Sequence, residues 1–176
     1  MNNYILTGAP GAGKTSIIRS LENKGRNVVE EAATDIILLE QKQGIAKPWD
    51  NPNFLDKILS LQKERYKNSQ TLKEVFFFDR SPICTYALCQ FLGYTPSTLL
   101  LEEIERINEL SLYHKKVFFI ESLESIEHTD IRQINYQDAL VFSKLHFEIY
   151  TQLDFECISI PPQELEKRVS LILQHI

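Results

Sequence analysis

Between residues 7 and 16 the chain reads Thr-Gly-Ala-Pro-Gly-Ala-Gly-Lys-Thr-Ser, a stretch holding three of its six glycines. Gly8, Gly13, Lys14 and Thr15 meet the pattern G-x-x-x-x-G-K-[ST]. An apolar run, Tyr4-Ile5-Leu6, precedes it, and Ile17, Ile18 and Leu21 follow at helical spacing. Strand, glycine-rich turn, then helix is the context in which this pattern forms a P-loop and cradles phosphate. Glycines let backbone N–H groups converge on anionic oxygens without a Cβ in the way, and the helix N-terminus adds partial positive charge. The cradle comprises Gly8, Ala9, Pro10, Gly11, Ala12, Gly13, Lys14, Thr15 and Ser16. Lys14 has the reach to meet the outer phosphates, and Thr15 presents a hydroxyl to Mg²⁺.

A triphosphate site of this kind needs a second carboxylate for the metal. Asp79 in "VFFFDRSP" supplies it, because it ends an apolar run and ligands of open parallel sheets bind beyond the carboxyl ends of strands. The other reading of Asp79 is a cap on the helix that follows Pro82. Arg80 is placed to hold a phosphate or the substrate. In "NVVEEAATDII", Glu30 and Glu31 reach the same edge, and a carboxylate there can take the proton of an attacking hydroxyl. Glu31 is the favoured base; the alternative is a carboxylate capping a helix that starts near Ala32. Residues 121–136 are polar and carry one arginine, Arg132. They read either as a lid that brings positive charge over the phosphates and excludes water, or as a surface loop.

Five short apolar runs must carry these groups: residues 4–6, 27–30, 75–78, 117–120 and 157–160, the last starting near Asp154. Val75-Phe76-Phe77-Phe78 lacks alternation, as expected of a strand covered on both faces. Helical periods lie between the runs. Phe54, Leu55, Ile58, Leu59 and Leu61 share one side, and Leu100, Ile104, Ile107 and Leu110 repeat the pattern. A last stripe of Leu165, Val169, Ile172 and Leu173 follows Pro161-Pro162, which can open a helix. Strands alternating with helices imply parallel strands and right-handed crossovers. No repeat or linker divides residues 1–176, which read as one α/β domain with a lid at about 121–136.

Composition narrows the partners. The 19 Lys and Arg against 24 Asp and Glu leave a net charge of −5, with no basic stripe to replace counterions on nucleic acid. No apolar stretch approaches the roughly 20 residues needed to cross a bilayer. Strand and glycine-rich turn begin almost at Met1, which predicts no signal peptide and a cytoplasmic protein. Cys84, Cys89 and Cys157 have no C-x-x-C spacing and lie among apolar residues, as buried free thiols would. The four histidines are scattered without zinc-ligand spacing.

The P-loop at residues 8–15, the "VVEEAA" after the second run and the "FFFDRS" after the third together resemble P-loop nucleoside kinases. The chain is most similar to the ribosylnicotinamide-kinase-like AAA-type ATPase domain family, relatives of the deoxynucleoside kinases. The likeness extends to "AKPWDNPNFLDKILSLQKERY", to Arg132 as a lid arginine, and to "CISIPPQELEKRVSLIL". It implies a P-loop NTPase three-layer sandwich with a five-stranded parallel sheet of kinase type, order 2-3-1-4-5. It also implies Glu31 as catalytic base and Asp79, Arg80 and Ser81 as the acidic-Arg-Ser motif for Mg²⁺ and phosphate. Ala32 stands where those kinases often carry proline, and the lid has a single arginine.

The leading expectation is transfer of the γ-phosphate of Mg·ATP to a small nucleoside- or nucleotide-like hydroxyl acceptor. Glu31 is then the base, Lys14, Arg80 and Arg132 offset transition-state charge, and Thr15 with Asp79 holds Mg²⁺. The alternative is a slow ATPase acting as a regulatory switch or binding module without a phosphoryl acceptor. A GTPase is disfavoured, since the one Asn-Lys pair, Asn23-Lys24, continues as Gly25-Arg26 rather than toward a guanine-reading Asp. A motor ATPase would more naturally place Asp-Glu where Asp79-Arg80 stands. A concave pocket between Glu31, Trp49 and Arg80, roughly opposite the phosphates, would discriminate the kinase from the switch. Trp49, Phe54 and Tyr86 either stack on a base there or belong to the core.

Overall fold

A computed structural model describes residues 3–72, 74–122 and 136–176. Five strands, β1 (Asn3–Thr7), β2 (Asn27–Val29), β3 (Phe76–Asp79), β4 (Lys116–Ile120) and β5 (Glu156–Ile160), form one sheet in the order β2-β3-β1-β4-β5. Every pairing is parallel. Among the described residues seven α-helices connect and flank them: α1 (Lys14–Asn23), α2 (Ala32–Lys42), α3 (Asn53–Ser69), α4 (Pro82–Phe91), α5 (Thr98–Glu109), α6 (Tyr136–Gln152) and α7 (Leu165–Leu173).

The period-2 pleat distributes the strand side chains between two faces. Ile5, Phe76, Phe78 and Val117 pack with Ile83, Cys84 and Ala87 of α4, Ile107 of α5, and Phe142, Ile149 and Tyr150 of α6. Tyr4, Leu6, Phe77, Phe118 and Ile120 face the other way, against Ile17, Ile18 and Leu21 of α1 and Val169 and Ile172 of α7. Two helical layers therefore enclose the sheet, the three-layer arrangement expected. A third cluster joins α2, α3 and α4 through Ile36, Ile37, Phe54, Leu55, Ile58, Leu59 and Cys89. No described helix is long and apolar enough to cross a membrane.

Several element boundaries differ from the sequence expectation. β2 stops at Val29, so Glu30 and Glu31 stand just beyond the strand. β3 starts one residue later than expected and takes in Asp79. Pro161 and Pro162 do not open α7, which begins at Leu165 with Glu164 at its N-cap. Leu165 is exposed at that first turn, while Arg168 is buried beside Val169 and Ile172. Cys84 and Cys89 are buried free thiols, but Cys157 on the edge strand is only half-buried. Residues 123–135, and with them Arg132 and nearly all of the expected lid, lie outside the described residues.

Candidate active site

β1 enters the sheet between β3 and β4, with Leu6 in register with Asp79 and Thr7 with Phe119. The glycine-rich turn therefore leaves the centre of the sheet at its carboxyl edge, level with Asp79. Gly8 (φ 124) is required by that exit, because a Cβ there would collide with the Ile120 carbonyl oxygen. Gly13 (φ 87) is the N-cap of α1. Lys14 is buried, and its ammonium donates to the carbonyls of Gly8 (3.2 Å) and Ala9 (2.7 Å). Thr15 and Ser16 are exposed at the first turn of α1. Asp79 is buried, and it does not cap α4: Ser81 does, accepting from the Ile83 N–H at 3.2 Å.

Arg80 follows Asp79 in the left-handed region, with φ 72, and its N–H donates to the Leu6 carbonyl at 3.1 Å. That turn aims the side chain inward, where it is only 7% exposed. Its Nε donates to Glu31 Oε1 at 2.6 Å. The other Glu31 oxygen accepts from the Thr34 hydroxyl at 2.6 Å, so the carboxylate does not cap α2 although Glu31 occupies the N-cap position. Burial by itself would lower the Arg80 pKa, but the Glu31 carboxylate, with Cys84 and Asp79, raises it above the ordinary guanidinium value. Arg65 of α3 holds the turn that carries Glu31, donating to the Glu30 carbonyl at 2.9 Å and pairing with Asp35. Glu30 itself is exposed and borders a shallow hollow outside β2.

A residue that the sequence reading did not single out also meets Arg80. His146 of α6 is fully buried, and its Nε2 lies 3.3 Å from Arg80 Nη1. Its Nδ1 is 2.8 Å from the Phe142 carbonyl, which can only accept, so Nδ1 carries the proton and Nε2 accepts from Arg80. Burial, then the Arg80 charge, and more distantly Lys14 hold the His146 pKa well below its usual value; the bond to Phe142 opposes them. A second buried chain ties the same elements together: Tyr150 OH meets Ser81 Oγ (2.8 Å) and Cys84 Sγ (3.2 Å), and Cys84 meets Thr7 Oγ1 (3.4 Å). The only sequence clue to His146 was its place on the stripe of Ala139, Phe142, Ile149 and Tyr150, one polar ring among apolar neighbours.

Glu31 and Arg80 line a cavity of about 390 Å³. Its walls are largely apolar: Ile37 of α2, Trp49 from the 3₁₀ turn Pro48–Asp50, Phe54 and Ile58 of α3, Leu88 and Phe91 of α4, and Phe142 of α6. Gln62 and Thr85 add polar edges, the Thr85 hydroxyl donating to Gln62 Oε1 at 2.8 Å, and Lys47 and Asp138 complete them. Pro10 of the P-loop borders the same space. Trp49 and Phe54 line it while also packing in the third core cluster, whereas Tyr86 packs in the core clusters alone.

A family model described as an AAA domain matches residues 3–168. The chain belongs to that P-loop AAA-domain family. No curated protein matches the sequence. Among solved structures, deoxyadenosine kinase from M. mycoides with the products dCMP and dCDP matches at 16% identity and TM-score 0.67, over 98% of this chain and 97% of that one. The NadR protein in complex with NR matches at 13% identity and TM-score 0.72, over 98% of this chain and 51% of NadR. Shikimate kinase from Acinetobacter baumannii in complex with shikimate gives 17% identity and TM-score 0.58, over 99% of this chain and 92% of that one. At these identities the likeness establishes a kinase-type P-loop fold with the sheet order described above.

Proposed function

We propose that this AAA-domain protein transfers the γ-phosphate of ATP to a hydroxyl of a small nucleoside-like molecule held in the cavity below Glu31 and Arg80. The observation that carries this reading is the cavity itself. It lies at the carboxyl edge of the sheet, it borders the P-loop at Pro10, and a paired acid and guanidinium line it together with Trp49, Phe54, Phe91 and Phe142. Its volume suits a ring and a sugar, and ring-shaped ligands are held by such mixed apolar and polar linings. A switch that only hydrolyses ATP has no use for such a chamber, and a binding module that used it would show no acceptor-stimulated turnover. Kinases of deoxyadenosine, shikimate and thymidylate share the fold, which favours phosphoryl transfer to a small acceptor over other P-loop activities.

Each residue has a task in this reading. The P-loop backbone binds the phosphates, and Lys14 exchanges its bonds with the Gly8 and Ala9 carbonyls for the outer phosphate oxygens. Glu31 accepts the proton of the attacking hydroxyl; a carboxylate has lone-pair capacity beyond the bonds it takes from Arg80 and Thr34. Arg80 orients Glu31 and places positive charge where the transferring group passes, with Arg132 a candidate for the same task from the lid side. Gln62, with one oxygen lone pair taken by Thr85, presents its amide to the polar edge of the acceptor. Asp79 and Thr15 form an all-oxygen donor pair of the hard type that suits Mg²⁺. When bound there, the ion neutralises charge on the phosphate oxygens.

The test is ADP release by purified protein with Mg·ATP across nucleosides, nucleotides, and ribosylated or hydroxylated vitamin precursors, with Lys14→Ala as the inactive control. Stimulation by at least one nucleoside-like acceptor is expected. A panel in which no acceptor raises turnover above basal hydrolysis overturns the kinase reading in favour of the switch.

A further inference from the structure

Arg168 poses a charge problem that the proposed chemistry does not use. It belongs to α7, on the face of the sheet away from the acceptor cavity, and is 3% exposed. Its Nη1 donates to the Ala12 carbonyl and its Nη2 to the Glu121 carbonyl, each at 2.9 Å. Its Nε is buried and has no hydrogen-bond acceptor among the described residues. No described carboxylate forms a salt bridge with it; the Glu121 carboxylate accepts from the Ser159 hydroxyl instead. Burial lowers its pKa, with Glu121 opposing only in part. Taking a guanidinium out of water without an anionic partner is costly, and two neutral carbonyls do not offset it.

The position of this cation suggests what compensates it. Ala12 and Gly13 share a peptide unit whose carbonyl accepts from Arg168 and whose N–H belongs to the N-cap of α1, on the phosphate-cradling turn. Donation to a peptide oxygen polarises that peptide and strengthens its N–H as a donor, more so in a low-dielectric setting. Gly13 also makes the approach possible: a Cβ there would lie 3.1 Å from Arg168 Nη1. We propose that Arg168 is a positioning residue for the nucleotide phosphates, a buried cation behind the P-loop whose charge is balanced when the phosphates bind, acting through the Ala12–Gly13 peptide. This rests on the nucleotide-binding part of the proposed function and is independent of any acceptor.

Calorimetric titration of adenosine, AMP, ADP and Mg·ATP into wild type, R168Q, R168M and R168K tests it. Whichever of R168Q and R168M folds is expected to lose about tenfold in Mg·ATP affinity, roughly 1.4 kcal/mol. The loss grows from AMP to ATP, and adenosine binding is unchanged. R168K keeps the charge and stays within about threefold of wild type. Equal ATP affinity in the neutral variants overturns the proposal, as does equal loss for adenosine and ATP, or an R168K as weak as R168Q. Failure of all three to fold makes Arg168 a structural residue and overturns it too. A wild type that binds no phosphorylated ligand removes the nucleotide reading itself, whereas binding that survives R168Q removes only this inference.

Discussion

Arg80 and Glu31, 49 residues apart in sequence, form a largely buried ion pair at 2.6 Å, and both line the cavity. In the proposed reading the same contact joins the base to the cation that serves the phosphates. The pair has a direct consequence for Glu31→Gln. The amide keeps shape and one acceptor but cannot take a proton, and loss of a general base typically slows turnover 10²- to 10⁴-fold, about 3–5 kcal/mol of barrier. Acceptor-stimulated ADP release is expected to fall by that much while Mg·ATP affinity, set by the P-loop, changes little. Breaking a buried pair by removing one partner costs up to about 3–5 kcal/mol of stability. The variant is therefore to be assayed below its measured melting temperature; full acceptor-stimulated turnover there removes Glu31 as base.

Gly8 and Gly25 both have positive φ, 124 and 76, but their surroundings differ. An alanine at 25 meets open space and carries only left-handed strain, about 1–2 kcal/mol. An alanine at 8 meets the Ile120 backbone as well, and overpacking adds about 1–3 kcal/mol to backbone strain of similar size. Urea denaturation is expected to show Gly8→Ala destabilised at least twice as much as Gly25→Ala. Equal midpoints would mean that β4 yields to the turn.

Asp79→Asn keeps the volume of a buried side chain and removes its charge. Metal-free ADP binding is expected to survive, while Mg²⁺-dependent turnover falls at least about tenfold, because an amide oxygen is a poorer ligand for a hard dication than a carboxylate. A Mg²⁺ dependence identical to wild type would move the metal role to another acidic residue. Glu31 is then the candidate, since Glu30 faces away from the cavity.

The parts legible in sequence were those with short-range signatures. The P-loop is a local backbone device, so its glycines and lysine declare it, and the phenylalanine run of β3 announces a strand covered on both faces. Glu31, Asp79 and Arg80 could be placed at one edge because parallel strands share a carboxyl end. What could not be read was which side chain meets which across the sheet. That Arg80 pairs with Glu31 depends on the left-handed turn at Arg80 and on the order β2-β3-β1. The stripe drawn through Leu165 put an apolar residue in the core, whereas Leu165 is exposed and Arg168, one turn on, is the buried residue, held by the Ala12 and Glu121 carbonyls. His146 was hidden for a related reason: an apolar periodicity on α6 absorbs one buried ring without changing its pattern.

His146 gives the last expectation, and its sign follows from the direction of its pKa. Burial and the neighbouring Arg80 and Lys14 charges hold the folded-state value well below the unfolded value of about 6.5. The unfolded chain therefore binds one more proton than the folded chain between those two values. Stability from this group is full above about pH 6.5 and declines as pH falls toward the folded pKa, by up to about 1.4 kcal/mol per pH unit. Carboxylates add their own acid dependence, so the measurement is a difference: urea denaturation of wild type and His146→Gln at pH 7.5, 6.5 and 5.5. The glutamine offers Arg80 a carbonyl in place of Nε2 and does not titrate, so its stability is expected to fall less steeply below pH 6.5, by close to one proton. If the two slopes match, His146 is not the neutral acceptor of the Arg80 guanidinium, and Arg80 is held by Glu31 alone.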